Sequence, residues 1–256
     1  MTNGFEGPAP SIVVFDVGEV IIDETRVWSV WADILGVSPL SFGAVLGAAI
    51  VQGLDYPDAF AELAPNIEWQ SFSDEHERRY GGFREDDLYA DVRPCIDGLR
   101  DHRIDVVVAG NQPARRTAQL RALDLPVTAI ATSDDIGAEK PSPAFFTGVM
   151  DLAGSELASE VLYVGDRIDN DVLPAAAFGM RTCWLRRGPW GLLQDVPDPE
   201  TSSGGGADNG DTPGSPASPD GRSTGSQDFR PDLVLEGLGE LTTLLLDWRR
   251  QSPPTP

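Results

Sequence analysis

Six short apolar runs, most of them rich in β-branched residues, constrain this chain more than any other feature. They are SIVVF (11–15), IDVVVA (104–109), PVTAIA (126–131), VLYVG (161–165), RTCWL (181–185) and DLVLE (232–236). Most lack the polar alternation of a half-exposed strand. They read instead as strands covered on both faces, the condition of a parallel sheet. Helix-length segments separate the later runs, at 113–123, 143–153 and 171–178, and another, 237–249, follows the last. This repetition predicts an α/β fold built on a doubly wound, Rossmann-like parallel sheet, in which ligands bind beyond the carboxyl ends of the strands.

Two segments interrupt the alternation. Residues 24–91 hold no convincing strand; Trp28, Trp31, Ile34 and Leu35 fall at helical spacing, and helical patches recur around 40–51, 57–63 and 73–80. The expected organisation is an α/β core of residues 1–23 and 92–256 with a helical cap, 24–91, inserted after the first strand. The tryptophans are expected to pack between cap helices. The second segment, 196–230, contains seven Gly, five Pro and six Ser among 35 residues. It has too little apolar surface to offset the entropy of ordering, so a disordered loop is expected there.

Charge and composition narrow the function. With 19 basic and 41 acidic residues the formal charge is −22, which repels phosphate backbones and anionic lipid. Neither nucleic acid nor a membrane surface is an expected partner, and an anionic ligand has to be drawn in by a local site. The longest apolar runs fall short of a membrane span, and MTNGFEGPAP has no basic stretch followed by an apolar one. The two cysteines, Cys95 and Cys183, suit a reducing compartment. A cytoplasmic protein is the expectation. All the basic residues but one are arginine, and Lys140 is the single lysine. A position that keeps lysine against that bias calls for a compact ammonium on a flexible stem.

Four polar clusters stand at the ends of successive strands. The first strand runs into Asp16-Val17-Gly18-Glu19, and the second into Gly110-Asn111-Gln112. Lys140 follows the third strand by nine residues, and the fourth runs into Gly165-Asp166-Arg167-Ile168-Asp169-Asn170-Asp171. Taken one at a time these are ordinary turn, cap and helix-start residues. Their order is more specific. Asp, then a small polar turn, then the lone lysine, then Gly-Asp-x-x-x-Asn-Asp resembles the haloacid dehalogenase-like hydrolase superfamily, over nearly the whole chain from 11 to 249 apart from the loop. The resemblance also accounts for the helical insert, since one subclass carries its cap between the first two strands.

What the resemblance implies is a hydrolase acting on a small phosphorylated metabolite, a sugar phosphate being one such ester. Asp16 would be the nucleophile, forming an aspartyl-phosphate that water hydrolyses. Mg2+ would be held by Asp16, the main-chain carbonyl of Gly18, Asp166 and, directly or through water, Asp171. Lys140 would pair with Asp16 and the phosphoryl group, and Asn111 with the amides around Gly110 would hold the phosphate.

Two departures bear on activity. Many phosphatases of the superfamily carry an acid–base aspartate where this chain has Gly18, and a hydroxyl residue where it has Gly110. Losing an acid is expected to slow hydrolysis of ordinary alkyl phosphates by ~10²–10⁴-fold and to favour esters with good leaving groups. Glu19 could act instead, although a solvated turn residue is the expectation there. The alternatives are a metal-free 2-haloacid dehalogenase and a catalytically weakened binding protein. Two carboxylates beside a charged Asp16 count against a metal-free site. In the insert, Trp28, His76, Arg78 and Arg79 are candidates to face a pocket, with His76 and His102 expected at the surface. Nothing in the sequence fixes an oligomeric state.

Overall fold

A computed structural model describes residues 7–196 and 229–252. The described residues up to 194 and from 231 form one compact unit, which holds the α/β fold. Of the disordered loop expected at 196–230, residues 197–228 lie outside the described residues.

The six apolar runs form strands β1 (Ile12–Phe15), β2 (Asp105–Gly110), β3 (Ala129–Thr132), β4 (Val161–Gly165), β5 (Arg181–Leu185) and β6 (Leu233–Leu235). They make one parallel sheet in the order β3-β2-β1-β4-β5-β6. Four helices lie between β1 and β2: α1 (Thr25–Leu35), α2 (Pro39–Val51), α3 (Tyr56–Leu63) and α4 (Ser73–Tyr80). Then α5 (Val92–Asp101) leads into β2 and α6 (Arg115–Ala122) leaves it; α7 (Ser133–Ile136) and α8 (Pro143–Ala153) join β3 to β4. Last come α9 (Leu173–Phe178) before β5, α10 (Gly188–Leu193) after it, and α11 (Leu241–Gln251) after β6.

Local chemistry sets several of these limits. Ser38 accepts from the Ser41 amide and Pro39 opens α2, while Asp55 and Asp58 cap α3 reciprocally. Ser142 and Pro143 begin α8 in the same way. Along β1 the residues alternate between two buried layers, which is why the run shows no polar alternation. Val13 and Phe15 join Val106, Val108, Ile96, Leu99, Leu241 and Trp248 on one face. Ile12 and Val14 join Val107, Phe145, Phe146 and Val149 on the other.

A third cluster fills the insert with Trp31, Phe42, Leu46 and Phe60, and Trp190 from α10 enters it. Two charged contacts also tie the insert to the sheet layer. Arg116 of α6 reaches Glu77 of α4 at 2.8 Å, and Arg167 after β4 reaches Asp55 at the start of α3 at 3.2 Å.

Differences from the sequence reading have local causes. Helix α5 carries Val92, Cys95, Ile96 and Leu99 at helical spacing, but Pro94 and Gly98 inside it mask the signal. The segment expected as a helix from 171 begins as a wide π-type turn, Ile168–Val172, before α9. After β6, Gly237 and Gly239 delay the last helix, so a single 3-10 turn precedes α11. No single helix among the described residues is long and apolar enough to cross a membrane. Phe146 is fully buried beneath the sheet against Phe145, Tyr163 and Phe178. Phe146→Ala is expected to lower stability by ~3–5 kcal/mol, read as a lower urea midpoint with an unchanged denaturant slope.

Candidate active site

The site forms where three strands end together. Phe15 of β1 lies level with Val108 of β2 and Val164 of β4, so the next residues of the three strands open into one crevice. The strand order turns outward in both directions from β1, the place where such sheets bind ligands. Asp16 is fixed there by its amide, which donates to Val164 O at 2.9 Å. The chain then doubles back: the amides of Ile21 and Ile22 donate to Val17 O at 3.1 and 2.9 Å, and Glu19 N donates to Ile22 O at 2.7 Å.

From β4, Asp166 follows Gly165, and its main-chain oxygen accepts from Trp184 Nε1 at 3.0 Å. The π-type turn then brings Asp171 back to the strand end, where its carboxylate accepts from the Arg167 amide at 3.0 Å. Lys140 arrives on the loop between α7 and α8. Asn111 clasps the Lys140 backbone from both sides, accepting from its amide at 2.8 Å and donating to its carbonyl at 3.0 Å. The ammonium lies 2.7 Å from Asp16 Oδ1 and 2.5 Å from Asp171 Oδ1, with Lys140 only 5% exposed.

Charge in this crevice is unbalanced. Burial works against the Lys140 ammonium, but the carboxylates of Asp16 and Asp171 outweigh it and hold its pKa well above the usual range. Burial pushes Asp171 up to about 6 in spite of Lys140, and it also raises Asp166, with the charges of Asp171 and Asp16 adding to the effect. One carboxylate oxygen from each of Asp16, Asp166 and Asp171 lies within 4.8 Å of the others. Three carboxylates facing one ammonium leave two negative charges in excess. Buried oxygen donors with that excess fit a hard divalent cation.

Asp16, Lys140 and Asp166 form the floor of a cavity of about 810 Å³, whose wall includes Trp28, Tyr56, Phe60, Trp69 and Trp190, while Asp171 is fully buried against Lys140. Gly18, Asn111 and His76 also line it. Gly110 ends β2 against Asp16. A Cβ there would run into Asp16 Oδ1 and come within 3.2 Å of Val17 N, so a seryl or threonyl side chain is incompatible with this position of Asp16. The Asn111 side chain is committed to the Lys140 backbone.

Several surface expectations are corrected. His76 is 6% exposed and stacks on Trp31 at 4.4 Å, with Nε2 at 3.1 Å from Val27 O; burial lowers its pKa. His102 is exposed as expected. Arg78 and Arg79 pair with Glu75 at the surface and are absent from the cavity wall. Glu19 is buried, with φ 54°, and accepts from Tyr89 Oη and from Glu24 N. Burial pushes its carboxyl up to about 7. Glu24 was not among the candidates, yet it lines the cavity; burial, then the charges of Glu19 and Asp16, push its carboxyl up to about 8. Its only sequence signal is an acid shortly after a glycine at position 18, which has meaning once the turn is seen.

Several known proteins are similar to this chain. A phosphoglycolate phosphatase of Pseudomonas syringae is 27% identical over 205 residues, 72% of each chain. A glyceraldehyde 3-phosphate phosphatase of Methanopyrus kandleri is 38% identical over 74 residues; that match spans 27% of this chain and 31% of the relative. Among solved structures, the HAD-hydrolase YfnB of Bacillus subtilis, solved bound to magnesium, superposes with a TM-score of 0.64 at 17% identity, covering 93% of this chain and 99% of that one. The L-2-haloacid dehalogenase of Xanthobacter autotrophicus gives 0.60 at 17% identity, covering 93% and 99%. At those identities the two structures speak for the fold alone. The family model for haloacid dehalogenase-like hydrolases matches residues 10–179, from the strand that carries Asp16 to the end of α9. The chain is a member of that hydrolase family.

Proposed function

We propose that this hydrolase is a magnesium-dependent phosphatase of small phosphorylated metabolites, a sugar phosphate being one class that suits the site. The observation that carries the reading is the buried Lys140 ammonium held between Asp16 and Asp171, with Asp166 beside them. Asp16 attacks phosphorus to give an aspartyl-phosphate, and water then releases phosphate and restores the carboxylate. Lys140 offsets charge on the transferring phosphoryl oxygens while it keeps Asp16 aimed. Main-chain amides at Gly110 and Asn111 hold the phosphate.

Asp16, Asp166, Asp171 and the Gly18 carbonyl would hold the Mg2+. When bound, the ion supplies the positive charge that lets a carboxylate approach a phosphate dianion. The relatives named as phosphatases support this choice of ester. In this reading residues 24–91 act as a cap over a core of 1–23 and 92–256, and the aromatic wall selects the group that leaves. The cytoplasm is the proposed setting, which the free thiols of Cys95 and Cys183 suit.

A metal-free dehalogenase would have to keep Asp16, Asp166 and Asp171 together with Lys140 as the one cation paired to them among the described residues, at Asp16 and Asp171, which disfavours that alternative. Assays on a panel of phosphorylated metabolites should show phosphate release that Asp16→Asn reduces to background. A chelator should stop the wild-type reaction and added magnesium restore it. Halide release from 2-haloacids in chelator, without phosphate release, would overturn the reading. Lys140→Met is expected to destabilise the fold by ~3–5 kcal/mol in chelator at pH 7.5, because buried carboxylates lose their counter-charge. The deficit should narrow at pH 5, below the raised pKa of about 6 at Asp171, where that carboxyl takes up a proton, in paired urea titrations.

A further inference from the structure

Glycine at position 18 leaves no side chain two residues beyond Asp16, but the space it vacates is filled. A Cβ built on Gly18 would come within 2.6 Å of Glu24 Oε1, 2.9 Å of its Cδ and 3.3 Å of its Oε2. The carboxyl group of Glu24 therefore stands where a side chain of residue 18 would begin. The backbone explains how it gets there. Glu24 follows the turn that doubles back on Val17, and its carbonyl accepts from Trp28 N at 3.1 Å as α1 starts. Its side chain thus folds over the turn into the cavity that Asp16, Lys140 and Asp166 line.

The neighbouring candidate is spent. Both oxygens of Glu19 are engaged, by Tyr89 Oη and by Glu24 N. The Glu24 carboxyl makes no hydrogen bond and no ion pair among the described residues. A carboxyl that is unpartnered, faces the cavity and shares it with the nucleophile is placed to exchange a proton with substrate.

We propose that Glu24 is the acid–base residue of this enzyme, replacing from six residues further along the chain the carboxyl that Gly18 lacks. The inference rests on the phosphatase reading. As Asp16 forms its bond to phosphorus, the ester P–O bond breaks and its electron pair stays on the leaving oxygen. That oxygen takes the proton of the Glu24 carboxyl and departs as an alcohol. Water then attacks the aspartyl-phosphate and gives a proton to the Glu24 carboxylate. The P–O bond to Asp16 breaks, releasing inorganic phosphate and regenerating both groups. With this acid in place, turnover extends beyond activated esters to alkyl phosphates.

The test is a leaving-group series of similar shape: p-nitrophenyl, phenyl and benzyl phosphate, assayed with magnesium on wild type, E24Q, E24A and E24A/G18D. E24Q is expected to lose about 10²-fold or more in kcat/KM on benzyl phosphate and only a few-fold on p-nitrophenyl phosphate, whose leaving group needs no proton. E24A/G18D, in which an aspartate occupies the space Glu24 gave up, should regain at least ~10-fold of the benzyl phosphate activity lost in E24A. A merely structural role would lower all three esters alike. Equal loss across the series, or none, with an active wild type overturns the role of Glu24 alone. A wild type that releases phosphate from none of the three esters and from none of the metabolite panel overturns the phosphatase reading and this inference with it.

Discussion

One ammonium group shared by two buried carboxylates organises this molecule. Lys140 is removed from water, a state that costs several kcal/mol for an isolated ion, and the contacts to Asp16 and Asp171 are what make it tolerable. The three residues come from separate connections, after β1, after β3 and after β4. They meet only because the strands before them are parallel and level. Slipping β4 by one residue would send Asp166 and its neighbours to the opposite side of the sheet. The side chains on the two covered faces hold that register, so the apolar packing of β1, β2 and β4 and the polar crevice beyond them are one arrangement.

The cavity above the crevice has two chemical halves. Its floor is oxygen-rich and charged, with a deficit of positive charge. Its wall is largely aromatic and comes from both the insert and α10, with Trp28 and Trp190 at 6.1 Å between ring centroids. Arg167 belongs to both. It stacks 5.0 Å over Trp190, reaches Asp55 in the insert, and its amide holds Asp171. One side chain and its own backbone therefore join the insert to the buried carboxylate of Asp171.

Most of the sheet was legible in the sequence because its strands are covered on both sides and show as unbroken apolar runs. The bounds of β4 and β5 are those read from the sequence, while β3 is shorter, starting at Ala129 after Pro126, which has no amide to donate to a ladder. The residues that gather beyond the strand ends, Asp16, Lys140, Asp166 and Asp171, could be picked out because each follows a strand. What could not be read was any relation set by a turn. That Gly110 makes room for Asp16, that Glu19 faces inward, and that Glu24 fills the space beside Gly18 depend on backbone direction over a few residues. His76 was misjudged for a similar reason: it sits among charged residues in the chain, and only the stacking of α4 on α1 buries it.

Lys140 is both the sole lysine of the chain and one of its least exposed polar residues. The outer surface therefore offers no side-chain amine, and its positive charges are guanidinium groups that keep their proton at any pH a cell reaches. Acylation of lysine, which in other proteins adjusts surface charge by degrees, has a single side-chain target here, at the bottom of the cleft. That amine is buried and held protonated by Asp16 and Asp171, so it resists reagents that attack only the neutral amine.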